Sequence, residues 1–175
     1  MRKEFYLLGK KLPNISQKEI NLEFHPYYLK QYNNRWFVFG KNPLFENITN
    51  LALDRLIDVE VLDKIFIETD LDFKEYFEDI IGVTFNEKKQ ATNIILRVDK
   101  SLWPYIETKP LHGSQKVIQK GENYVDIKLE LIPNYELESL ILQHGEKITV
   151  LEPSTLSNKI QDRIQQLIKK YKCAE

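Results

Sequence analysis

The chain has 175 residues, 42% of them hydrophobic and 29% charged, a balance that suits one ordinary globular domain or two small ones and excludes a disordered chain. No apolar run approaches the roughly 20 residues that cross a bilayer, and the single cysteine, Cys173, excludes an intramolecular disulfide and a thiolate zinc site. The formal net charge of −1 conceals an uneven distribution: residues 1–50 carry eight Lys/Arg against four Asp/Glu, residues 51–82 three against ten, and the remainder fourteen against twelve. A basic front, an acidic middle and a near-neutral back suggest separate modules and give no support for bulk duplex binding, which needs a strongly basic face.

The first apolar run, Phe5-Tyr6-Leu7-Leu8, is shorter than a signal-peptide core, so a cytoplasmic location without membrane attachment is expected. Ile20, Leu22 and Phe24 then alternate with Asn21, Glu23 and His25, the period-2 pattern of a half-buried strand. Two aromatic-rich runs, Tyr27 to Tyr32 and Arg35 to Gly40, flank Asn33-Asn34. Asparagine tolerates the positive φ of a two-residue turn, so this stretch reads as a hairpin. Leu51 to Leu56 and Val59 to Leu62 are further strand-like runs, and short strands this close together favour a small barrel. Phe73, Tyr76, Phe77 and Ile80 fall at helical spacing behind Asp70 or Asp72 as N-cap. Thr84 to Ala91 is polar and unpatterned, which places a module boundary between residues 82 and 93 and predicts domains over 1–82 and 93–175.

The second module has a clear order. Ile94, Leu96 and Val98 alternate in a strand, Ser101 to Thr108 form a short helix that tolerates Pro104 in its first turn, and Gln115 to Gln119 make a second strand. Val125, Ile127, Leu129 and Leu131 alternate against Asp126, Lys128 and Glu130 in a third. Asn134 caps a helix carrying Leu137, Leu140 and Ile141, closed by His144-Gly145. Lys147 to Leu151 is a fourth strand, and Ile160, Ile164, Leu167, Ile168 and Tyr171 form the stripe of a last helix. The order β-α-β-β-α-β plus one helix is that of a ferredoxin-like sandwich, and the fold class is α+β.

Chemistry is sparse. No Gly-rich phosphate loop, G-x-S-x-G or H-E-x-x-H is present, and His25, His112 and His144 lie on different elements, none at i,i+4 from another. No catalytic residue, metal or cofactor is expected; a hydrolase or transferase using His25 or His112 would lack an evident nucleophile. The acidic run Asp70, Asp72, Glu75, Glu78, Asp79 fits a solvated helix face rather than a metal cluster. The most informative stretch is His25 to Trp36, where basic residues interleave with aromatics. Rings that stack on bases and cations that meet phosphates suit nucleotide or single-strand binding, but the same spacing arises if Tyr28, Tyr32 and Trp36 merely alternate into a barrel core.

Pro26-Tyr27-Tyr28-Leu29, the Asn-Asn turn, Trp36-Phe37-Val38 and then Leu53-Asp54-Arg55-Leu56 resemble the WYL domain, a family named for a Trp-Tyr-Leu triplet followed by a Leu-Asp-Arg-Ile-like element. Residues 93–172 resemble the C-terminal extension common in these proteins, so the likeness covers nearly the whole chain from about residue 20. The resemblance implies an Sm-like barrel, homodimers, and an N-terminal winged helix-turn-helix that binds DNA. It also implies a negatively charged effector, a nucleotide or single-stranded nucleic acid. The family's arginine falls on Arg55 and its triplet on Trp36, Phe37 and Val38; the implied ligand-binding set is Arg55, Tyr28, Lys30, Arg35, Trp36, Phe37 and His25. Two departures matter: the triplet's tyrosine is Phe37, and Thr49-Asn50-Leu51 stands where many members carry an arginine.

Arg55 itself suits the role, since a guanidinium is a rigid fork for a phosphate, although an ion pair with Asp58 or the acidic helix would explain it equally. Only about twenty residues precede the first barrel strand, too few for a winged helix, so the expectation is a piece of a longer regulator or a stand-alone sensor. The competing class is a stand-alone single-stranded nucleic-acid-binding protein using the Tyr28–Trp36 face.

Overall fold

The computed structural model describes residues 8–10, 21–85 and 90–172. Its contacts divide the chain into two compact units, Met1–Tyr76 and Phe77–Glu175. The fold is mixed α and β, with every strand pair antiparallel.

In the first unit, β2 (His25–Tyr32) and β3 (Arg35–Lys41) form the expected hairpin, and β4 (Ile48–Ala52) pairs with the far side of β3. Asn33 and Asn34 take φ of 47° and 61°, the two positive values that make a hairpin turn follow the strand twist. Phe24, Val38 and Leu51 are buried together, with Leu22 and Leu56 packed against them; each such side chain contributes about 1.5–3 kcal/mol when fully buried. Gly40 permits this closure, because a Cβ there would lie 2.1 Å from the His25 carbonyl oxygen and 2.6 Å from the Phe24 ring.

The strand readings are corrected in three places. Leu22 and Phe24 pack into the core but belong to no strand, and burial does not alternate there, since His25 is buried beside Phe24; Ile20 lies outside the described residues. Val59 to Leu62 are irregular. Leu53-Asp54-Arg55 form a 3-10 turn at the end of β4, and the following β5 (Leu56–Asp58) pairs not with β4 but with β1 (Leu8–Lys10). The described strands therefore form one three-stranded and one two-stranded sheet, not the closed barrel expected. The expected helix over 70–82 contracts to α1 (Phe73–Tyr76). Asp72 caps it, its Oδ1 accepting from the Lys74 amide at 2.7 Å.

In the second unit the element order is the one read from the sequence: β6 (Thr92–Asp99), α2 (Trp103–Thr108), β7 (Lys116–Lys120), β8 (Tyr124–Leu131), α3 (Tyr135–Gln143), β9 (Ile148–Glu152) and α4 (Ser154–Lys172). The sheet order is β7-β8-β6-β9. Ile94, Leu96 and Val98 of β6 and Val125, Ile127, Leu129 and Leu131 of β8 are buried, as their alternation requires. Of the α4 stripe only Ile160 is buried, with Leu156 one turn earlier; Ile164, Leu167, Ile168 and Tyr171 are exposed.

The turn from β8 into α3 holds residues 79–84. Asn134 caps α3 through Oδ1, which accepts from the Leu137 amide at 2.9 Å, and its Nδ2 donates to the carbonyls of Ile81 and Thr84 at 2.8 and 3.0 Å. Glu136 Oε1 accepts from the Val83 and Thr84 amides at 3.3 and 3.1 Å and from the Thr84 hydroxyl at 2.7 Å. Ile80, Ile81 and Val83 are buried. The segment that the periodicity assigns to the first module is thus fastened to the second.

Candidate functional site

Register sorts the interleaved stretch. After a bulge between Pro26 and Tyr28, β2 and β3 pair regularly as Tyr28↔Phe39, Lys30↔Phe37 and Tyr32↔Arg35, with Leu29↔Val38 and Gln31↔Trp36 between them. Directly opposed residues share a sheet face and neighbours alternate. One face therefore carries Tyr28, Lys30, Tyr32, Arg35, Phe37 and Phe39. The other carries Leu29, Trp36 and the buried Val38, with Leu51 opposite Val38 on β4. Of the implied ligand set, Tyr28, Lys30, Arg35 and Phe37 come together. Trp36, 48% exposed, stands on the opposite face and cannot wall the same site.

The first of these faces is half covered. The Phe73 ring of α1 lies parallel to Tyr28, centroids 5.0 Å apart and planes within 4°. Tyr76 meets Phe39 edge-on at 6.5 Å, and Tyr27 packs against Phe66 and Phe73 at 5.7 and 6.4 Å. Burial pushes the Tyr27 hydroxyl above its ordinary range. Beyond the Tyr28/Phe39 pair, Lys30, Tyr32 and Phe37 are partly accessible and Arg35 is exposed.

His25 belongs to the interior, 1% exposed. Its Nδ1 accepts from the Ile67 amide at 3.1 Å, which leaves Nε2 as the protonated nitrogen, 3.4 Å from Glu23 Oε1. The ring ties residue 67 to the start of β2 and does not join the exposed face. Glu23 is also bonded by Lys64, and that bond, more than any other influence, holds its carboxyl below the usual range.

Arg55 ends the 3-10 turn after Ala52, the residue opposite Phe37. It is partly exposed, and among the described residues it forms no salt bridge, so the ion pair with Asp58 is not present. Its neighbour Asp54 instead meets Arg35, Nη2 to Oδ2 at 3.2 Å. That pair is about half exposed and worth less than about 1 kcal/mol, so Arg35 can exchange it for another anion.

No group of three or more His, Cys, Asp or Glu that could hold a metal occurs among the described residues. His144 follows the last turn of α3, where the helix dipole favours the charged ring, but burial prevails and lowers its pKa below the ordinary 6.5.

Residues 90–168 match the family model described as the WCX domain. Most of the second unit is thus similar to the WCX domain. This is the C-terminal domain of WYL-type regulators, the family that the motifs of the first unit resemble. The WCX domain and the preceding unit together are similar to a crystal structure described as a CRISPR Cas-related protein. Identity is 10% and the TM-score 0.51, over 98% of this chain and 48% of that one, a likeness of fold alone. They are also similar to proteasome accessory factor B/C (PafBC) of Arthrobacter aurescens, at 16% identity and a TM-score of 0.38 over 93% of this chain and 25% of that one. The chain thus spans about half and about a quarter of those two proteins. A comparison with curated proteins finds no match. No helix among the described residues is long and apolar enough to cross a membrane.

The WCX domain holds a concavity of about 380 Å³ lined by Thr92, Pro133, Pro153, Leu156 and Lys159 among others. Its Lys159 stands 3.7 Å from Glu138 Oε1, and the same carboxylate meets Arg163 at 3.2 Å. The sheet face in the first unit brings two cations, Lys30 and Arg35, to one side of the hairpin. Phe73, which helical spacing marks as core, is buried, and its stack on Tyr28 joins residues 45 positions apart.

Proposed function

We propose that this chain is the effector-sensing part of a bacterial transcriptional regulator. A negatively charged ligand, a nucleotide or short single strand, binds on the first unit and alters the output of an attached DNA-binding domain. One observation carries the reading: the register places Lys30, Arg35, Phe37 and Tyr28 on one accessible face, next to the turn that bears Arg55. Cations supply the phosphate contacts and rings the stacking surface. The family supports the regulatory setting, with the first unit read as an incompletely paired Sm-like barrel and the WCX domain as a ferredoxin-like sandwich. The chain acts by binding rather than catalysis in this reading, as a cytoplasmic homodimer.

Titration with a nucleoside monophosphate and with a short single-stranded oligonucleotide tests it. Arg55→Ala should weaken binding by about one to two orders of magnitude, and Arg55→Lys should recover part of that, since an ammonium cannot reproduce the fork. The ligand-free melting temperature should barely move, because Arg55 has no salt bridge to lose among the described residues. A destabilised Arg55→Ala protein that binds normally refutes the reading. A steep salt dependence with oligonucleotide and no binding of the mononucleotide would favour a single-strand binder instead.

A further inference from the structure

We propose that Phe73 and the acidic segment around it are a displaceable mimic of the ligand, so that the ligand is a nucleotide whose base takes the place of the Phe73 ring on Tyr28. The inference rests on the reading of the Lys30–Arg55 face as an anion site and adds what covers it and what uncovers it.

The geometry is that of a base on a protein ring. Phe73 and Tyr28 are parallel within 4° at 5.0 Å, an offset stack, whereas the contacts of Phe73 with Tyr27 and Tyr76 are tilted by 46° and 57°. The ring is flanked by carboxylates: Glu68, Asp70, Asp72 and Glu75 surround it in sequence, so the segment offers an aromatic plane with negative charge beside it, the two features of a nucleotide. What lies next to the covered ring is complementary, since Lys30 follows Tyr28 on the same face and Arg35 follows Lys30 through its partner Tyr32. Side chains two apart on a strand are separated by about 7 Å, the scale on which a ribose separates base from phosphate. A base stacked on Tyr28 would therefore set its phosphate toward Lys30 and Arg35. Arg35 would then give up its exposed pair with Asp54.

The cover has little regular backbone structure. Residues 59–72 contain no helix or strand, and α1 is a single turn of four residues, below the length at which a helix holds itself. Its displacement would expose the buried Phe73 ring and cost its contacts with Tyr28, Tyr27 and Tyr76, of which a base stacking on Tyr28 would restore the first.

The test uses the whole chain with adenosine monophosphate and ribose 5-phosphate as probes, in wild type, Phe73→Ala and Phe73→Leu. The leucine variant keeps an apolar side chain in the helix while removing the ring. Both variants should bind adenosine monophosphate roughly three- to tenfold more tightly than wild type, the equivalent of one aromatic stack no longer competed away. Neither should change the affinity for ribose 5-phosphate by more than about twofold, because it has no base to compete. Hydrogen exchange supplies an independent readout: adenosine monophosphate should speed exchange at the Tyr76 amide, which is bonded to the Asp72 carbonyl at 2.9 Å.

Unchanged or weaker nucleotide binding in both variants, or protection of Tyr76 on binding, overturns the proposal and makes Phe73 a fixed wall. If Arg55→Ala still abolishes binding in that case, the anion-site reading survives alone. If no variant binds either probe, both fall.

Discussion

Arg97 and Asp126 face each other across β6 and β8 and are joined by two hydrogen bonds, Nε to Oδ1 at 2.8 Å and Nη2 to Oδ2 at 2.9 Å. The guanidinium lies 3.8 Å from the centre of the Tyr124 ring, the residue two before Asp126. Asp126 is buried while Arg97 is 41% exposed, so the pair is unequal: the acid depends on the base for its solvation and the base does not depend on the acid.

That inequality orders the stability effects of the two truncations. Arg97→Ala strands a buried carboxylate and should cost about 3 kcal/mol, whereas Asp126→Ala releases an arginine that water can serve and should cost about 1–2 kcal/mol. Urea unfolding of both variants measures the order. Equal losses would mean that Asp126 is hydrated in the folded state.

Asn134 combines an α3 cap with two hydrogen bonds that secure residues 81 and 84, and all three end in Asn134→Ala. A loss of about 2–3 kcal/mol is expected, more than a cap alone provides. Asn134→Asp should restore the cap but not the two donated bonds, and recover only part of the loss. A variant as stable as wild type would show that residues 79–84 are not fastened to the WCX domain through this side chain.

His144 makes the stability of the WCX domain sensitive to mild acid. Burial lowers its pKa in the folded state below the ordinary 6.5, so the unfolded chain binds the proton first. The contribution is complete above about pH 6.5 and is lost as the pH falls through the folded-state value. Between pH 7.5 and 5.5, wild type should therefore lose more stability than His144→Gln, measured by denaturant midpoints on both. Parallel losses would assign the acid sensitivity to other groups.

The two faces of the β2–β3 hairpin make opposite predictions for two of their side chains. Trp36→Ala should leave nucleotide affinity within about twofold of wild type, and Lys30→Ala should weaken it about three- to tenfold, the loss of one exposed charge-assisted contact. Fluorescence of Trp36 should likewise respond little to ligand. A Trp36→Ala variant that no longer binds would move the site to the opposite face.

The sequence by itself determined whatever rests on near neighbours. Asn33-Asn34 dictates a positive-φ turn, the alternation of β6 and β8 dictates which side chains are buried, and Asn134 and Asp72 stand where helices begin because their side chains reach amides two or three residues on. Only the tertiary structure decided what depends on distant partners. Whether Trp36 or Phe37 shares a face with Lys30 follows from the hairpin register, and the bulge after Pro26 resets which residue of β2 lies opposite each residue of β3. β5 pairs with β1 because the Leu53-Asp54-Arg55 turn redirects the chain, an event that no periodicity announces. His25 reads like a ligand beside Pro26 and Tyr27, yet burial and a long-range hydrogen bond from residue 67 make it an interior fastening. Phe73 is apolar at helical spacing under any reading. Its position on Tyr28 exists only because 44 residues of intervening chain return it there, and local patterning carries no record of such a return.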